Sequence, residues 1–199
     1  MGKPISTNKK TNYHTLIQYL PDKEFDESYA LLSHYIQLNG KAEANEYKKL
    51  LIANGVNIDQ LPSVDDFNTK YDIPFPATGE TFTFIDLFAG IGGFRLAMQK
   101  HGGKCVFSSE WDNAAKQTYF ENYGEVPFGD ITNPKIKALI PPKFDVLCAG
   151  FPCQPFSYSG QKLGFKDKAK GTLFFDVCEI LKDRQPRAFF LENVKGIVS

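Results

Sequence analysis

From residue 81 onward the sequence predicts a doubly wound, mainly parallel α/β sheet, with a small helical extension ahead of it. Three observations point there. Short apolar runs alternate with segments of helical length between Thr81 and Leu191, the pattern of strand-helix-strand units rather than of hairpins. A glycine-rich turn, Phe88-Ala-Gly-Ile-Gly-Gly93, follows the first run and opens the first helical segment. The texture changes near residue 80, where Pro62, Pro74, Pro76 and Gly79 punctuate a polar stretch.

Residues 1–80 are read as a helical extension and linker. Glu24–Gln37 and Ala42–Asn54 carry apolar residues at helical spacing, with Gly40 and Gly55 as helix stops. Residues 81–199 form the second unit, in the order strand 82–88, helix 92–102, strand 104–109, helix 112–123, strand 126–129 and helix 133–139. Strand 144–149, a long polar loop, helix 172–183 and strand 186–191 follow. The last strand, containing Ala188-Phe-Phe-Leu191, is expected to be buried, and Phe174 and Phe175 are expected in the core.

Composition bounds the class. With 42% hydrophobic and 23% charged residues the chain reads as globular, and no apolar run approaches the ~20 residues of a membrane span. No apolar stretch follows the early lysines, so a cytoplasmic protein is expected. Cys105, Cys148, Cys153 and Cys178 show no paired metal spacing, which favours reduced thiols and no metal site. Residues 1–80 hold 8 Lys/Arg against 11 Asp/Glu, and residues 81–199 hold 15 against 12. Lys162, Lys166, Lys168 and Lys170 cluster in the polar stretch Ser157–Gly171, a basic loop suited to a polyanion.

The glycine turn can bring bare backbone at Gly90 and Gly92 close to a ligand, with a helix N-terminus facing it. A dinucleotide site wants a third glycine where Arg95 stands, which disfavours a nicotinamide enzyme. Glu110 lies at the end of the second strand, where a carboxylate accepts ribose hydroxyls. Its neighbour Trp111, the only tryptophan, offers a stacking face for adenine. Asp130 follows the third strand and can accept the adenine amino group, with Ile131 lining the ring. Together these describe an adenosine site without a pyrophosphate site, the shape of S-adenosylmethionine.

The chemical end is Phe151-Pro-Cys-Gln-Pro-Phe-Ser157. Pro152 and Pro155 hold the segment extended, so Cys153 is placed on a stiff loop at a strand's carboxyl end. Cys105, Cys148 and Cys178, each in or beside an apolar run, read as small buried hydrophobes.

Five blocks are similar to one family. Phe84-Ile-Asp-Leu-Phe-Ala-Gly-Ile-Gly-Gly-Phe-Arg95, Glu110-Trp-Asp112, Gly150-Phe-Pro-Cys-Gln-Pro-Phe-Ser157, Gly171-Thr-Leu-Phe-Phe175 and Leu191-Glu-Asn-Val194 resemble the bacterial cytosine-5 DNA methyltransferases of restriction-modification systems. The resemblance spans residues 82–199. It implies a Rossmann-like, S-adenosylmethionine-dependent methyltransferase acting on double-stranded DNA. It implies Cys153 as nucleophile and Glu192 as acid partner of the target base. It also implies Phe88, Gly90, Gly92, Glu110, Trp111, Asp130, Ile131, Gly150, Pro152 and Leu173 around the cofactor. Gln154, Ser157, Lys162, Lys168 and Lys170 are the expected nucleic-acid contacts.

Family members continue through a base-supporting arginine and a target-recognition region. The catalytic unit is therefore expected to be incomplete at its C-terminus, inactive alone, and a fragment, a truncation or half of a split enzyme whose second chain reads the target. A non-catalytic cofactor- or DNA-binding subunit and a tRNA cytosine-5 methyltransferase stay open as alternatives.

Overall fold

The computed structural model describes residues 12–22, 25–77, 81–152 and 172–193. Among the described residues a 3-10 helix (Tyr13–Tyr19) precedes three α-helices, α1 (Ser28–Leu38), α2 (Asn45–Ala53) and α3 (Val64–Lys70). The expected helix 24–37 begins only at Ser28, because Glu27 adopts a left-handed φ of 58°. Serine at the start of α3 follows the usual capping chemistry: Ser63 Oγ accepts the Asp66 N–H at 3.1 Å.

The alternating unit follows as β1 (Phe82–Leu87), α4 (Gly93–Lys100), β2 (Gly103–Ser109), α5 (Asn113–Tyr123) and α6 (Pro134–Lys137). It ends with β3 (Val146–Ala149), α7 (Thr172–Arg184) and β4 (Ala188–Leu191). The four strands are parallel in the order β2-β1-β3-β4. Chain direction across the sheet reverses at β1, so the crevice at the carboxyl ends of β1 and β3 is the natural ligand site of such a sheet.

The expected strand 126–129 shrinks to one bridge, in which Phe128 donates to Ser108 O and accepts from the Glu110 N–H, each at 2.9 Å. Pro127 has no N–H to give a ladder. The Gly129 N–H goes instead to the Glu27 carboxylate, at 3.1 Å.

One core joins the N-terminal helices to the sheet. Leu32, Tyr47, Leu51 and Phe67 are buried in the same cluster as Ile85, Phe107, Phe120 and Phe128. Each such side chain contributes roughly 1.5–3 kcal/mol by leaving water. Tyr47 shows how a buried hydroxyl is satisfied: it donates to Val106 O (3.1 Å) and is within reach of Leu139 O (3.2 Å). Phe84, Cys105 and Cys148 form a second cluster.

Three burial expectations are overturned. All four β4 residues are exposed, with Phe189 at 56% and Phe190 at 54%, because β4 is the outermost of the described strands and has a described neighbour on one side only. Phe175 is 55% exposed, while Phe174 is half-buried against the Phe151 ring. Cys178 is only half-buried. No helix among the described residues is long and apolar enough to cross a membrane.

Candidate active site at the carboxyl ends of the strands

The turn after β1 is built on left-handed backbone: Phe88 has φ 54°, Gly90 φ 54° and Gly92 φ 93°. Such a conformation is free for glycine and costly for phenylalanine, which persists there only because its surroundings over-determine it. The two glycines differ in what they face. A Cβ on Gly90 would meet nothing within 4 Å, whereas one on Gly92 would fall 2.2 Å from the Tyr123 ring. Gly90 therefore faces open space, and Gly92 is required by the protein's own packing. The Tyr123 hydroxyl donates to Gly92 O at 2.7 Å, fixing the turn from behind.

Glu110, directly after β2, reaches this turn. Its Oε2 accepts the Gly90 N–H at 2.8 Å, and its Oε1 accepts the N–H groups of Trp111 (2.8 Å) and Asp112 (2.9 Å). A carboxylate offers about four acceptor positions, so three are engaged and one, on Oε2, has no partner among the described residues. Trp111 is 76% exposed, so its indole is a free face rather than core. Asp130 is exposed, with Oδ1 accepting the Thr132 N–H at 2.9 Å, and Ile131 is buried beside it. An open glycine, an acceptor carboxylate, a bare indole and a second acid fit an adenosine-bearing ligand.

On the other side of β1, the ends of β3 and β4 come together. The Glu192 carboxylate lies over Gly150, 3.6 Å from where a Cβ there would stand. Asn193 donates its side-chain amide to Phe151 O at 3.0 Å, tying the end of β4 to the residue before Pro152. Leu173, at the start of α7, is half-buried. Cys153, Gln154, Ser157, Lys162, Lys168 and Lys170 lie outside the described residues. Burial pushes the Cys105 thiol far up and the Cys148 thiol up to about 12, so neither supplies a thiolate at neutral pH. Among the described residues no cluster suits a metal ion.

Behind the site lies a polar network that the sequence reading missed. Arg95 is fully buried and donates from Nη1 to Glu125 Oε1 at 2.8 Å and to the Tyr119 hydroxyl at 3.3 Å. Its Nε donates to Gln99 Oε1. Burial alone would raise the Glu125 carboxyl, but Arg95 and the other partners hold it below its ordinary value. His34 is kept neutral by burial. It donates from Nδ1 to Ala30 O (2.9 Å), leaving Nε2 to accept the Ser108 N–H (3.2 Å). Asp86, the penultimate residue of β1, is raised to about 8, chiefly by burial. The available signal was Asp86 itself, since a carboxylate inside an otherwise apolar parallel strand needs a partner.

A parallel α/β sheet with an open glycine turn, two acids and a bare indole at its carboxyl ends has the layout of the nucleotide-binding α/β folds. Residues 82–199 match the C-5 cytosine-specific DNA methylase family, and the chain belongs to it. The type II methyltransferase M.HpaII of Haemophilus parainfluenzae is 66% identical over 122 residues, covering 61% of this chain and 34% of that protein. M.MspI of Moraxella sp is 41% identical over 188 residues, 94% of this chain and 42% of its own length. M.HhaI of Haemophilus parahaemolyticus is 53% identical over 116 residues, 58% of this chain and 35% of its own. The chain thus spans about a third to two fifths of these relatives.

Proposed function

We propose that the protein acts in methyl transfer to carbon 5 of cytosine in double-stranded DNA, within a bacterial restriction-modification system. The observation that carries this reading is the pairing of acids across β1, with Glu110 bonded to the Gly90 turn on one side and Glu192 over Gly150 on the other. Relatives named as type II methyltransferases support the restriction-modification setting.

Gly90, Glu110, Trp111, Asp130 and Ile131, with Phe88, Gly92, Gly150, Pro152 and Leu173 around them, would hold S-adenosylmethionine. When bound, that cofactor supplies an electrophilic sulfonium methyl. The chain's own residues make the base reactive. Carbon 5 of cytosine is a weak nucleophile, so the Cys153 thiolate bonds to carbon 6 and the ring double bond's electrons shift towards carbon 5. Glu192 shares a proton with ring nitrogen 3, offsetting the negative charge that builds during addition. The Asn193 amide fixes the Phe151 carbonyl, so the strand bearing Glu192 and the loop leading to Cys153 keep one relative position. Once carbon 5 carries the methyl group, a base takes its proton, the double bond re-forms and the carbon 6 to sulfur bond breaks. The target base leaves the stack first, at a cost of roughly a few kcal/mol. The lysine-rich stretch 157–171 contributes phosphate contacts.

Two measurements test the reading. S-adenosylmethionine at a hundred times its dissociation constant should stabilise the chain by ~2.7 kcal/mol, and NAD should not. With a chain carrying the target-recognition region added, DNA carrying 5-fluorocytosine should form a covalent complex that Cys153→Ser abolishes. Stabilisation by NAD in place of S-adenosylmethionine would refute the proposal.

A further inference from the structure

We infer that the N-terminal helical segment braces the adenine end of the site, with Glu27 as the positioning residue that holds the Gly129–Asp130 turn. This rests on the reading of Asp130 as an adenine contact. The segment from Gly124 to Asp130 makes only one bridge to β2, and α1 with Glu27 just ahead of it supplies partners for three further backbone groups at successive points. Gln37 Nε2 donates to Gly124 O at 3.5 Å, and Ser33 Oγ accepts the Val126 N–H at 2.9 Å. Glu27 Oε2 accepts the Gly129 N–H at 3.1 Å, one residue before Asp130. Helix α1 thereby stands in for the missing strand ladder, and Glu27 is its last rung.

Local geometry shows how tightly that rung is set. Glu27 sits at φ 58°, a left-handed conformation rarely adopted by a residue with a Cβ and retained where the surroundings demand it. A Cβ on Gly129 would lie 2.7 Å from Glu27 Oε1, so the glycine before Asp130 makes room for the carboxylate. Burial raises the Glu27 carboxyl, with Lys116 and the Gly129 N–H opposing it. Lys116, on α5, feels the charges of both Glu27 and Glu110, which links the brace to the second cofactor acid. The helix itself is anchored: Lys104 Nζ donates to Gln37 O at 2.8 Å, and the Ser108 N–H donates to His34 Nε2.

The test uses the full chain with two probes that differ only at the purine 6-position, 5′-deoxy-5′-methylthioadenosine and its counterpart bearing hydrogen in place of the 6-amino group. Asp130 accepts from the 6-amino group and finds no donor at that position in the second probe. The unaltered protein is expected to prefer the adenosine probe by roughly tenfold, the loss of one hydrogen bond. Glu27→Ala should cut that preference to below roughly threefold, and Glu27→Gln, whose amide oxygen still accepts the Gly129 N–H, should restore it. Gly129→Ala, which displaces the carboxylate while leaving Glu27 in place, should repeat the Glu27→Ala result and covers the case in which that variant does not fold. Full preference in Glu27→Ala or Gly129→Ala, or equal loss in Glu27→Gln, overturns the brace alone. Absence of any preference in the unaltered protein overturns the adenine reading, and the brace with it.

Discussion

Arg95 Nη1 stands 2.8 Å from Glu125 Oε1, and both side chains are out of reach of water. The pair replaces the tight glycine contact of a dinucleotide fold with a charge that spans α4 and the segment after α5. Its desolvation is offset only while both partners are present. Arg95→Met should therefore cost about 3–5 kcal/mol, because it strands a buried carboxylate. The double variant Arg95→Met, Glu125→Leu should recover part of that loss. Urea denaturation of the single and double variants measures both, and an additive double variant would show that the two groups are not coupled.

Asp86 gives a pH signature with a definite sign. Its folded-state value of about 8 lies above its ordinary 3.8, so the folded protein holds a proton that the unfolded chain has released. The stability this contributes is full below about 3.8 and is lost as pH rises through about 8. The slope is at most ~1.4 kcal/mol per pH unit. Asp86→Asn, neutral at every pH, should flatten that part of the profile in thermal melts between pH 5 and pH 9, taken as about the accessible range. An unchanged profile would place the titration elsewhere.

How much of this was legible in the sequence depended on the range of the interactions involved. The turn at Gly90 and Gly92 was legible because left-handed backbone is a local demand that glycine meets. The positions of Glu110 and Glu192 at strand ends were legible because strand ends follow from alternating runs, while the role expected of Glu192 came only with the family resemblance. The network of His34, Asp86, Arg95 and Glu125 was not, since its members lie far apart in the chain and no local pattern links them. Residues 126–129 read as a strand on hydrophobicity, but Pro127 and the Glu27 carboxylate remove the donors a ladder needs. The burial expected of β4 failed because a strand's burial is set by its neighbours, not by its own Phe189 and Phe190. The N-terminal helices looked like an appendage because their sequence shows only their own periodicity. It does not show that Tyr47 and Phe67 share a core with Phe107 and Phe120.

The two glycines of the turn should separate folding from ligand binding. Gly92→Ala drives a methyl group into the Tyr123 ring at a φ of 93°, and such overpacking costs about 1–3 kcal/mol before strain is added. At roughly 2–4 °C per kcal/mol for a chain of this size, its melting temperature should fall clearly without any ligand. Gly90→Ala meets nothing within 4 Å and pays only the left-handed penalty of roughly 1–2 kcal/mol. It should fold, yet lose most of the shift induced by S-adenosylmethionine, since its methyl group points into the space assigned to the ligand. Equal ligand-induced shifts in Gly90→Ala and the unaltered protein would remove Gly90 from the site.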